Sequence, residues 1–405
     1  MAQASVDLGT PFDVLHNHDL SQRLKFELEW DLPQKNRIEG LEKKYYDQVG
    51  FECEIGISNS EIRFFEVERF IYHLLHTNTL NLSVGMEKGI EETGGRKYEL
   101  VSEGMKFTRT RKGRGWKFTD PVKYYGFSDT ALSYYKNSDF LQDMNLHQEQ
   151  FFSNFYYLGP MRTKTKRIYS WSGANPESVG DNGENAIAAI LSARNSGKQM
   201  KYPNTHYKKF EEVIGEALKK MGLIEEYRID KIENRQDYEV KVKIKGADEF
   251  VSLPDVGFGV SQVLPVIVEL FYAPDNSVIF IEQPEIHLHP KAQSYLADVM
   301  LDAIHMRENG KERHIQLIIE THSEHFLRRL QRRISEKAME TSDLKAYFAE
   351  SGIKNSKLEE LQVDRYGNIL NWPEGFFGEM EEDMYKQSIN EINRRLAERD
   401  SVHEE

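Results

Sequence analysis

The sequence predicts an α/β protein, with an antiparallel β-rich part at the N-terminus and a mostly parallel sheet in the second half. The segment "QRLKFELEW" alternates apolar and polar residues, which is the period of a strand with one buried face. Two later segments, "SVIFIE" and "HIQLIIETH", contain short continuous apolar runs that are typical of strands covered on both faces. Helical patterns separate these runs, and strands that alternate with helices favour a parallel sheet.

The composition excludes several classes of protein. The chain has 405 residues, of which 39% are hydrophobic and 29% charged, and this suits a globular protein that buries a core. The net charge of −13 argues against a protein that coats nucleic acid with a wholly basic surface. The single cysteine, Cys53, excludes an intrachain disulfide and a cysteine-based zinc site. There is no apolar run of the roughly 18–20 residues that a membrane helix needs, and no signal-peptide pattern. We therefore expect a cytoplasmic protein without a membrane partner.

Changes of pattern divide the chain into four predicted parts. Residues 1–127 are predicted to be β-rich, and residues 128–250 to form a helical and linker lobe. A stretch of the lobe that is rich in Gly, Pro, Asn and Ser is predicted to be a long ordered loop or a boundary between lobes. Residues 251–378 alternate strands with helices, which predicts the core of the fold. A helix and a fraying tail are expected over 379–405. Within the core, "QVLPVIVELFYA" is predicted to be a helix with Pro265 in its first turns.

A glycine-rich turn precedes that predicted helix. The segment "LPDVGFGVSQVLPVI" contains Gly257 and Gly259, followed by Ser261 and Gln262. Glycine allows a close approach of the backbone, and the first turn of a helix offers free N–H groups to an anion. Ser261 and the amides that follow it are therefore candidates to hold a phosphate. Taken alone, the segment is explained equally well by a plain turn, because glycine-rich turns before helices are common.

The run "VIFIE" ends in Glu282, at the carboxyl end of a predicted buried strand, where α/β folds place their ligands. A carboxylate at this point can hold Mg²⁺ directly or through water. Gln283 follows it, and Glu285 lies two positions further on. His287 and His289 offer an alternative metal site. Their i, i+2 spacing and the lack of a further ligand cluster nearby in the sequence argue against that alternative.

A second predicted strand ends in Glu320, Thr321 and His322, and a helix is predicted to begin at Ser323. His322 is a candidate to contact a terminal phosphate or the water that attacks it. For this segment alone, a capped helix with a hydrogen-bonded histidine is the better explanation.

The order of these three segments resembles the heads of ABC-type ATPases: a glycine loop, an acidic strand end followed by proline, and a strand that ends in Thr-His. The chain is similar to AAA-family, ABC-like ATPases, which include SMC-like heads and the heads of the overcoming-lysogenisation-defect nucleases. It is most similar to a subgroup with "LGP.R", "VG..GENA" and "NWP.GFF" blocks, which lie here at 158–162, 179–186 and 371–377. The resemblance implies an α/β, ABC-type P-loop ATPase head. Such a head has a central, mostly parallel sheet, an N-terminal antiparallel β-rich lobe and a helical insertion.

The resemblance also implies roles for individual residues. The signature loop that binds nucleotide would be formed by Gly257, Gly259, Ser261 and Gln262. Glu282 would hold the metal in the Walker B position, and His322 would be the switch histidine. Gln283 stands where the family has its catalytic glutamate, and a neutral amide can orient water but cannot accept its proton. Glu285 is the alternative base. The implied cofactors are ATP and Mg²⁺, and the implied assembly is a homodimer or hetero-pair with composite ATP sites.

The family's phosphate loop, G-x-x-x-x-G-K-[ST], does not occur in the 405 residues. The two Gly-Lys pairs, at 197–198 and 310–311, are followed by Gln and Glu, and "GIEETGGRK" lacks the Lys-Ser/Thr pair. In the family this motif lies near the N-terminus. We therefore expect its strand, loop and helix to be missing, which would leave a groove and strand edges exposed. A misplaced or trimmed start, a separate polypeptide that carries the loop, and a degenerate ATPase are the three explanations, and a truncated or split ATPase is favoured.

Two basic clusters are candidates to contact phosphates. A predicted β-hairpin around "RKGRG" interleaves basic residues with Phe107, Trp116 and Phe118, which suits nucleic acid. Its candidate DNA-contacting residues are Lys106, Arg109, Arg111, Lys112, Arg114 and Lys117. A solvated hairpin explains this pattern at least as well. The second cluster, 162–167, is a candidate for nucleotide or DNA phosphates, whereas the arginines of "LRRLQRR" are predicted to pair with acids along a helix.

Two functions are compatible with the sequence. The first is an ATP-binding and ATP-hydrolysing subunit that acts as a nucleotide-dependent dimeric switch. It would gate a separate nuclease or effector in DNA repair or phage defence, since the chain itself has no nuclease motif. The second is a catalytically degenerate assembly or binding protein with the same fold. The missing phosphate loop and Gln283 favour the second function, whereas Ser261, Glu282 and His322 favour the first.

Overall fold

The computed structural model describes residues 9–402, except for 39–40, 42–43, 59–62, 90–96, 111–117, 204, 353–354 and 374–379. The chain forms two compact units, Met1–Asn154 and Phe155–Glu405. This division differs from the predicted boundaries, which were placed after residues 127, 250 and 378. Within the described ranges, no helix combines the length and the apolar character that crossing a membrane requires.

The first unit is built on a five-stranded antiparallel sheet, as the alternating N-terminal pattern predicts. The strands follow one another in space as in the chain: β1 (Leu24–Arg37), β2 (Tyr45–Ile57), β3 (Phe65–His76), β4 (Thr79–Gly89) and β5 (Lys97–Glu103). The helices of this unit are α1 (Pro11–Val14), α2 (Asp129–Tyr134) and α3 (Phe140–Ser153). Phe127 packs edge-on against Phe70 of β3, with ring centroids 5.1 Å apart, so the segment before α2 contributes to the core over the sheet.

The two segments that flank "RKGRG" do not pair with each other, as the predicted hairpin requires. Its tip, with Arg111, Lys112, Arg114, Trp116 and Lys117, lies outside the described residues. On one side, the Thr110 N–H donates to the Tyr134 carbonyl over 2.9 Å, and on the other Phe118 forms a bridge to Tyr98. The two flanks therefore pair with different partners. Phe107 and Phe118 both pack against Tyr135, so these rings are not free to stack on bases, while Lys106 and Arg109 remain exposed.

The second unit has the predicted mixed α/β architecture. Its helices are α4 (Ala186–Ser196), α5 (Phe210–Lys220), α6 (Phe258–Tyr272), α7 (Pro290–His305), α8 (Glu324–Ser335) and α9 (Met380–Val402). Its strands are β6 (Phe155–Leu158), β7 (Tyr169–Ser170), β8 (Gln199–Lys201), β9 (Lys208–Lys209), β10 (Glu226–Lys231), β11 (Asp237–Lys243), β12 (Val251–Ser252), β13 (Val278–Glu282), β14 (Arg307–Glu308), β15 (Lys311–Glu312), β16 (Gln316–Glu320), β17 (Ala346–Ser351) and β18 (Ser356–Leu361). Short 3-10 helices span Leu253–Asp255 and Thr341–Asp343.

A three-stranded parallel sheet with the order β16–β13–β6 forms the centre of this unit. Glu282 lies opposite Glu320, and Ile281 lies opposite Leu158, so the three strands end at one edge of the sheet. Ile279 and Ile281 of β13 are fully buried in the core that the sheet shares with α4–α7. Parallel pairing is confirmed for these strands, whereas the remaining sheets of the unit are antiparallel: β7 with β10–β12, β8 and β9 with β14 and β15, and β17 with β18.

Helix α6 begins earlier than the sequence predicts. Gly257 is its N-cap and the helix runs from Phe258, so Pro265 lies in the middle of the helix rather than in its first turns. The prediction treated both glycines as loop residues, but Gly259 is accommodated inside the first turn. Because proline has no N–H to donate, its position removes one main-chain hydrogen bond from the middle of a buried helix.

A buried ion-pair cluster joins α7 to α8. Asp298 on α7 is 2% exposed and accepts from Arg329 Nη1 and Arg333 Nε, each over 2.7 Å. The Arg329 guanidinium also lies over the Tyr295 ring, 4.8 Å from its centroid. On the outer side of α8, Arg328 pairs with Glu324. The prediction that the arginines of "LRRLQRR" pair with acids is confirmed, and it removes them from the candidate phosphate ligands.

We expect Asp298→Asn to lower the free energy of unfolding by about 2–4 kcal/mol, because breaking a buried charge pair leaves its partners unpaired. The estimate lies below that for fully buried pairs, since Arg329 and Arg333 retain 15% and 25% side-chain exposure, which screens part of the loss. Chemical denaturation followed by circular dichroism measures the change. Glu324→Gln, which removes the exposed pair with Arg328, is the control, with an expected loss of about 0.5 kcal/mol or less. Equal losses in the two variants would contradict the account.

Candidate functional site

The carboxyl ends of β13 and β16 bring two of the predicted segments together. Glu282 is the last residue of β13 and lies opposite Glu320, the last residue of β16. The Gln283 N–H donates to the Glu320 carbonyl over 2.8 Å, which extends the pairing beyond the strands. Thr321 and His322 follow directly. The two strand-end segments that the sequence singled out are therefore neighbours in the fold.

Glu282 is half-buried and is held from the neighbouring strand β6 and the loop that follows it. The Tyr157 hydroxyl donates to Glu282 Oε1 over 3.1 Å, and Arg162 Nη2 donates to the Glu282 carbonyl over 3.2 Å. Among the described residues, no cationic side chain lies within 4.0 Å of the Glu282 carboxylate. Within the described residues the carboxylate is therefore not paired with a cation, and its oxygens are ligands of the kind that a hard cation such as Mg²⁺ prefers.

The described part of the chain contains no group of three or more His, Cys, Asp or Glu side chains arranged to hold a metal. The alternative site at His287 and His289 is accordingly not formed. His289 Nδ1 accepts from the Lys291 N–H at the start of α7, and the His287 ring lies 5.9 Å from that of Phe258.

Arg162 is a site residue that the sequence placed only within a basic cluster. Burial lowers the pKa of its guanidinium to about 10, although the neighbouring Tyr157 and Glu282 favour the charged form. Its Nε and Nη1 are buried and have no hydrogen-bond partner among the residues that the structure describes. At the other end of the cluster, Arg167 forms a two-pronged ion pair with Asp255, just before the glycine loop. Both arginines of the cluster thus contact the segments that the sequence singled out.

The Glu285 side chain contacts the main chain of His322. Glu285 is 8% exposed, and its Oε1 accepts from the His322 N–H over 2.8 Å. This contact braces the end of β16, while the His322 side chain is exposed. Gln283 is half-buried in the left-handed region at φ 44°, a backbone state that non-glycine residues rarely adopt and that recurs at functional sites. Three roles stay predictions: that Gln283 orients the attacking water, that Glu285 is the alternative base, and that His322 is the switch histidine.

The glycine loop lies beside the segment that follows β13. A Cβ added to Gly259 would lie 3.2 Å from the His287 carbonyl oxygen, which is tighter than most such contacts and favours glycine at this position. Gly257 is exposed, and an added Cβ there would meet no atom within 4 Å. Ser261 is 6% exposed, and its hydroxyl donates to the Phe258 carbonyl over 2.8 Å within the helix. Contact of Ser261 and Gln262 with a phosphate stays a prediction.

The "VG..GENA" block packs against the "LGP.R" block. The Gly159 N–H donates to the Asp181 carbonyl, and the Thr163 N–H to the Asn182 carbonyl, both over 2.8 Å. The loop 179–185 therefore supports the segment that leads from β6 to Arg162. The sequence identified both blocks but gave no sign that they touch.

The same loop is anchored on α6 by a buried acid and a proline. Glu269 is 1% exposed, and its Oε2 accepts from the Val179 N–H over 2.8 Å. Gly183, at φ 75°, sits against Pro265, where an added Cβ would come within 2.4 Å of the proline ring. The helix that carries the glycine loop and the loop after β6 are thus connected through residues 179–185.

Burial raises the pKa of Glu269 to about 7, against the opposing effects of the Val179 N–H, Lys198 and Arg313. A carboxyl with a raised pKa binds its proton more tightly in the folded state, so stability falls as the pH rises from the ordinary value of 4.5 towards 7. Glu269→Gln keeps an acceptor for Val179 and removes this titration. We expect the variant to gain about 1–3 kcal/mol of stability relative to the parent between about pH 5 and pH 8.

Thermal and chemical unfolding across this pH range measure the effect of Glu269→Gln. Glu249→Gln, at an exposed glutamate, is the matched control and should give a profile parallel to that of the parent protein. Parallel profiles for Glu269→Gln and the parent would show that Glu269 does not titrate as described.

Comparison with known families supports an ATPase. Residues 164–327 match a family described as the AAA ATPase domain, and residues 339–387 match a family described as a protein of unknown function (DUF3696). The first range contains α6, β13 and β16 with their strand-end segments, and the second contains the "NWP.GFF" block. The match to the AAA ATPase domain lies in the second unit and supports the resemblance to ABC-like P-loop ATPases that the sequence indicated.

Three of the similar solved structures come from SMC ATPases. A structure from a study of ATP-driven dimerization and DNA-stimulated activation of SMC ATPases is 15% identical, covers 37% of this chain and 82% of that chain, and has a TM-score of 0.29. The SMC head domain from Thermotoga maritima is 9% identical over 78% of this chain and 75% of that chain, with a TM-score of 0.32. The Smc head domain from Pyrococcus furiosus, bound to the C-terminal domain of ScpA, is 14% identical over 38% and 36%, with a TM-score of 0.28. A comparison with curated proteins gave no match.

Proposed function

We propose that this chain is an ATP-hydrolysing subunit that works as a nucleotide-dependent dimeric switch. The observation that supports this most is the common edge of β6, β13 and β16, where Glu282, Gln283 and the Thr321-His322 segment lie together. Glu282 would share Mg²⁺ with phosphate oxygens and water, and the bound metal would neutralise charge on the transferred phosphoryl group. Gln283 would orient the attacking water but could not accept its proton, so hydrolysis would be slow.

The open edge and the exposed face of the parallel sheet support the idea that a further strand, loop and helix complete the site. Among the described residues, β16 pairs only with β13, so its second edge is open. On the face away from the core, Ile318 is 42% and Phe155 is 38% exposed, although parallel sheets are normally covered on both faces. One added strand–loop–helix unit would cover both surfaces. Its loop would lie near Glu282 and Glu320, whose negative charges favour a cationic residue such as the lysine of a phosphate loop.

The effector of such a switch would be a separate chain, since the sequence contains no nuclease motif. By the family resemblance, this separate chain would be a nuclease in DNA repair or phage defence, and the ATPase would gate its activity. Direct contact of this chain with DNA has less support. Lys106 and Arg109 are exposed, but the neighbouring Phe107 and Phe118 are packed into the first unit.

The second candidate is an assembly protein that has lost hydrolysis. Three observations favour it: no phosphate-loop motif occurs in the 405 residues, the Ser261 hydroxyl is used inside α6, and Glu285 is committed to the His322 N–H. The charged, unneutralised Glu282 at the strand end favours the ATPase, because a scaffold has no need of a carboxylate held in this way.

Magnesium-dependent ATP turnover by the full-length product of the encoding gene tests the proposal. We expect slow turnover that Glu282→Gln lowers by roughly 10²-fold or more, because a neutral amide is a poor ligand for Mg²⁺. Glu249→Gln, at an exposed position, is the control and should leave turnover unchanged. Turnover that survives Glu282→Gln would overturn the assigned metal residue, and a protein that neither binds nor hydrolyses ATP would favour the assembly function.

Gly257→Arg tests the role of the glycine loop in association. The added side chain meets no atom within 4 Å of its Cβ, and the residue's φ of −53° suits any amino acid, so the fold should be retained. We expect the arginine to block the approach of a second subunit and to abolish association in Mg·ATP, measured by light scattering after size exclusion. Ser172→Arg, also at an exposed loop residue, should associate normally. Unchanged association of Gly257→Arg would show that the loop does not face a partner.

A further inference from the structure

Tyr157 places a neutral hydroxyl on the carboxylate at the end of β13. It lies on β6 opposite Phe280, and the centroids of the two rings are 5.7 Å apart, so the ring is held against the neighbouring strand. From this position the hydroxyl donates to Glu282 Oε1. A phenol is protonated at neutral pH, so the hydroxyl acts as a donor in this contact. Glu282 Oε2 is left for another partner.

Glu282 is held differently from Asp298, a buried acid elsewhere in this unit. Asp298 is neutralised by two arginines, each 2.7 Å away. At Glu282 the only guanidinium contact recorded in the described part of the chain comes from Arg162, and it goes to the main-chain carbonyl. That bond fixes the strand end without pairing with the carboxylate. A hydroxyl on one oxygen and an arginine on the main chain orient Glu282 and leave its negative charge uncancelled.

We propose that Tyr157 is the positioning residue of Glu282, whose hydroxyl orients the carboxylate so that Oε2 faces the divalent cation of a bound nucleotide. The inference rests on the proposed function, because it takes Glu282 as the ligand of that cation. Groups that hydrogen-bond a metal ligand from behind fix its direction, and their loss typically costs about 10–100-fold in metal affinity. Arg162 supports the same arrangement from the main chain.

The test is the affinity for Mn²⁺ in the presence of ATP, measured on the full-length protein by enhancement of water-proton relaxation. We expect Tyr157→Phe to weaken the affinity about tenfold, because the freed carboxylate samples other directions. Tyr156→Phe is the matched control: it removes a hydroxyl from the adjacent, half-buried residue of the same strand, whose side chain points to the opposite face. Its affinity for Mn²⁺ should equal that of the parent protein.

Two further measurements separate the inference from simpler explanations. If Tyr157 served only the packing of β6, Tyr157→Phe would lower the unfolding temperature without cation and leave the Mn²⁺ affinity of the folded protein unchanged, which would overturn the inference. If Glu282→Gln weakened Mn²⁺ binding and Tyr157→Phe did not, the inference would fail and the proposed function would stand. If Glu282→Gln left the affinity unchanged, the proposed function would lose its metal residue, and the inference would fall with it.

Discussion

The parallel pairing of β13 with β6 and β16 is the constraint on which the site depends. In β13, Ile279 and Ile281 are fully buried, and Glu282 follows on the alternate face. A slip of one residue would turn the isoleucines towards solvent and drive the acid into the core, at a large cost in desolvation. Hydrophobic burial therefore fixes the register, and the register fixes where the carboxylate, the amide of Gln283 and the end of β16 meet.

The site also depends on the loop 179–185, which contacts both the segment after β6 and helix α6. It holds the segment after β6 through the Gly159 and Thr163 N–H groups, and it is held on α6 by Glu269 and Pro265. The proline inside α6 has a place in this arrangement, because its ring fills the space that Gly183 leaves open. The body of α6 is thus connected, through Glu269, Pro265 and the loop 179–185, to the segment that contains Arg162.

The sequence predicted the strands and helices whose patterns are local. The apolar runs of β13 and β16 and the start of α8 lie where the patterns place them, since apolar runs and helix caps leave marks in neighbouring residues. Burial of β16 on both faces was not found, because Ile318 is exposed. The predicted start of α6 was wrong, because two nearby glycines, Gly257 and Gly259, are typical of a loop in the sequence, whereas the helix begins at Phe258. Tyr157 was missed as a site residue because its role depends on β6 lying beside β13. That neighbour relation joins residues about 125 positions apart in the chain, and no local pattern encodes it.

The predicted hairpin around "RKGRG" also shows that a local pattern does not reveal tertiary contacts. Phe107 and Phe118 alternate with basic residues as in a nucleic-acid-binding strand, but they pack against Tyr135 next to α2. Alternation indicates which side chains share a face and does not indicate what that face meets. The partition of the arginines of α8 into ion pairs was predictable, in contrast, because their partners lie on the same helix or on the adjacent α7.

The central claim is that Glu282 holds the divalent cation of a bound nucleotide at the edge formed by three parallel strands. Anomalous scattering from Mn²⁺, in crystals of the full-length protein grown with a non-hydrolysable ATP analogue, tests it most directly. The account predicts an anomalous peak within coordination distance of Glu282 Oε2, between the carboxylate and the phosphates. A well-occupied metal–nucleotide complex bound elsewhere, with no peak at Glu282, would contradict it.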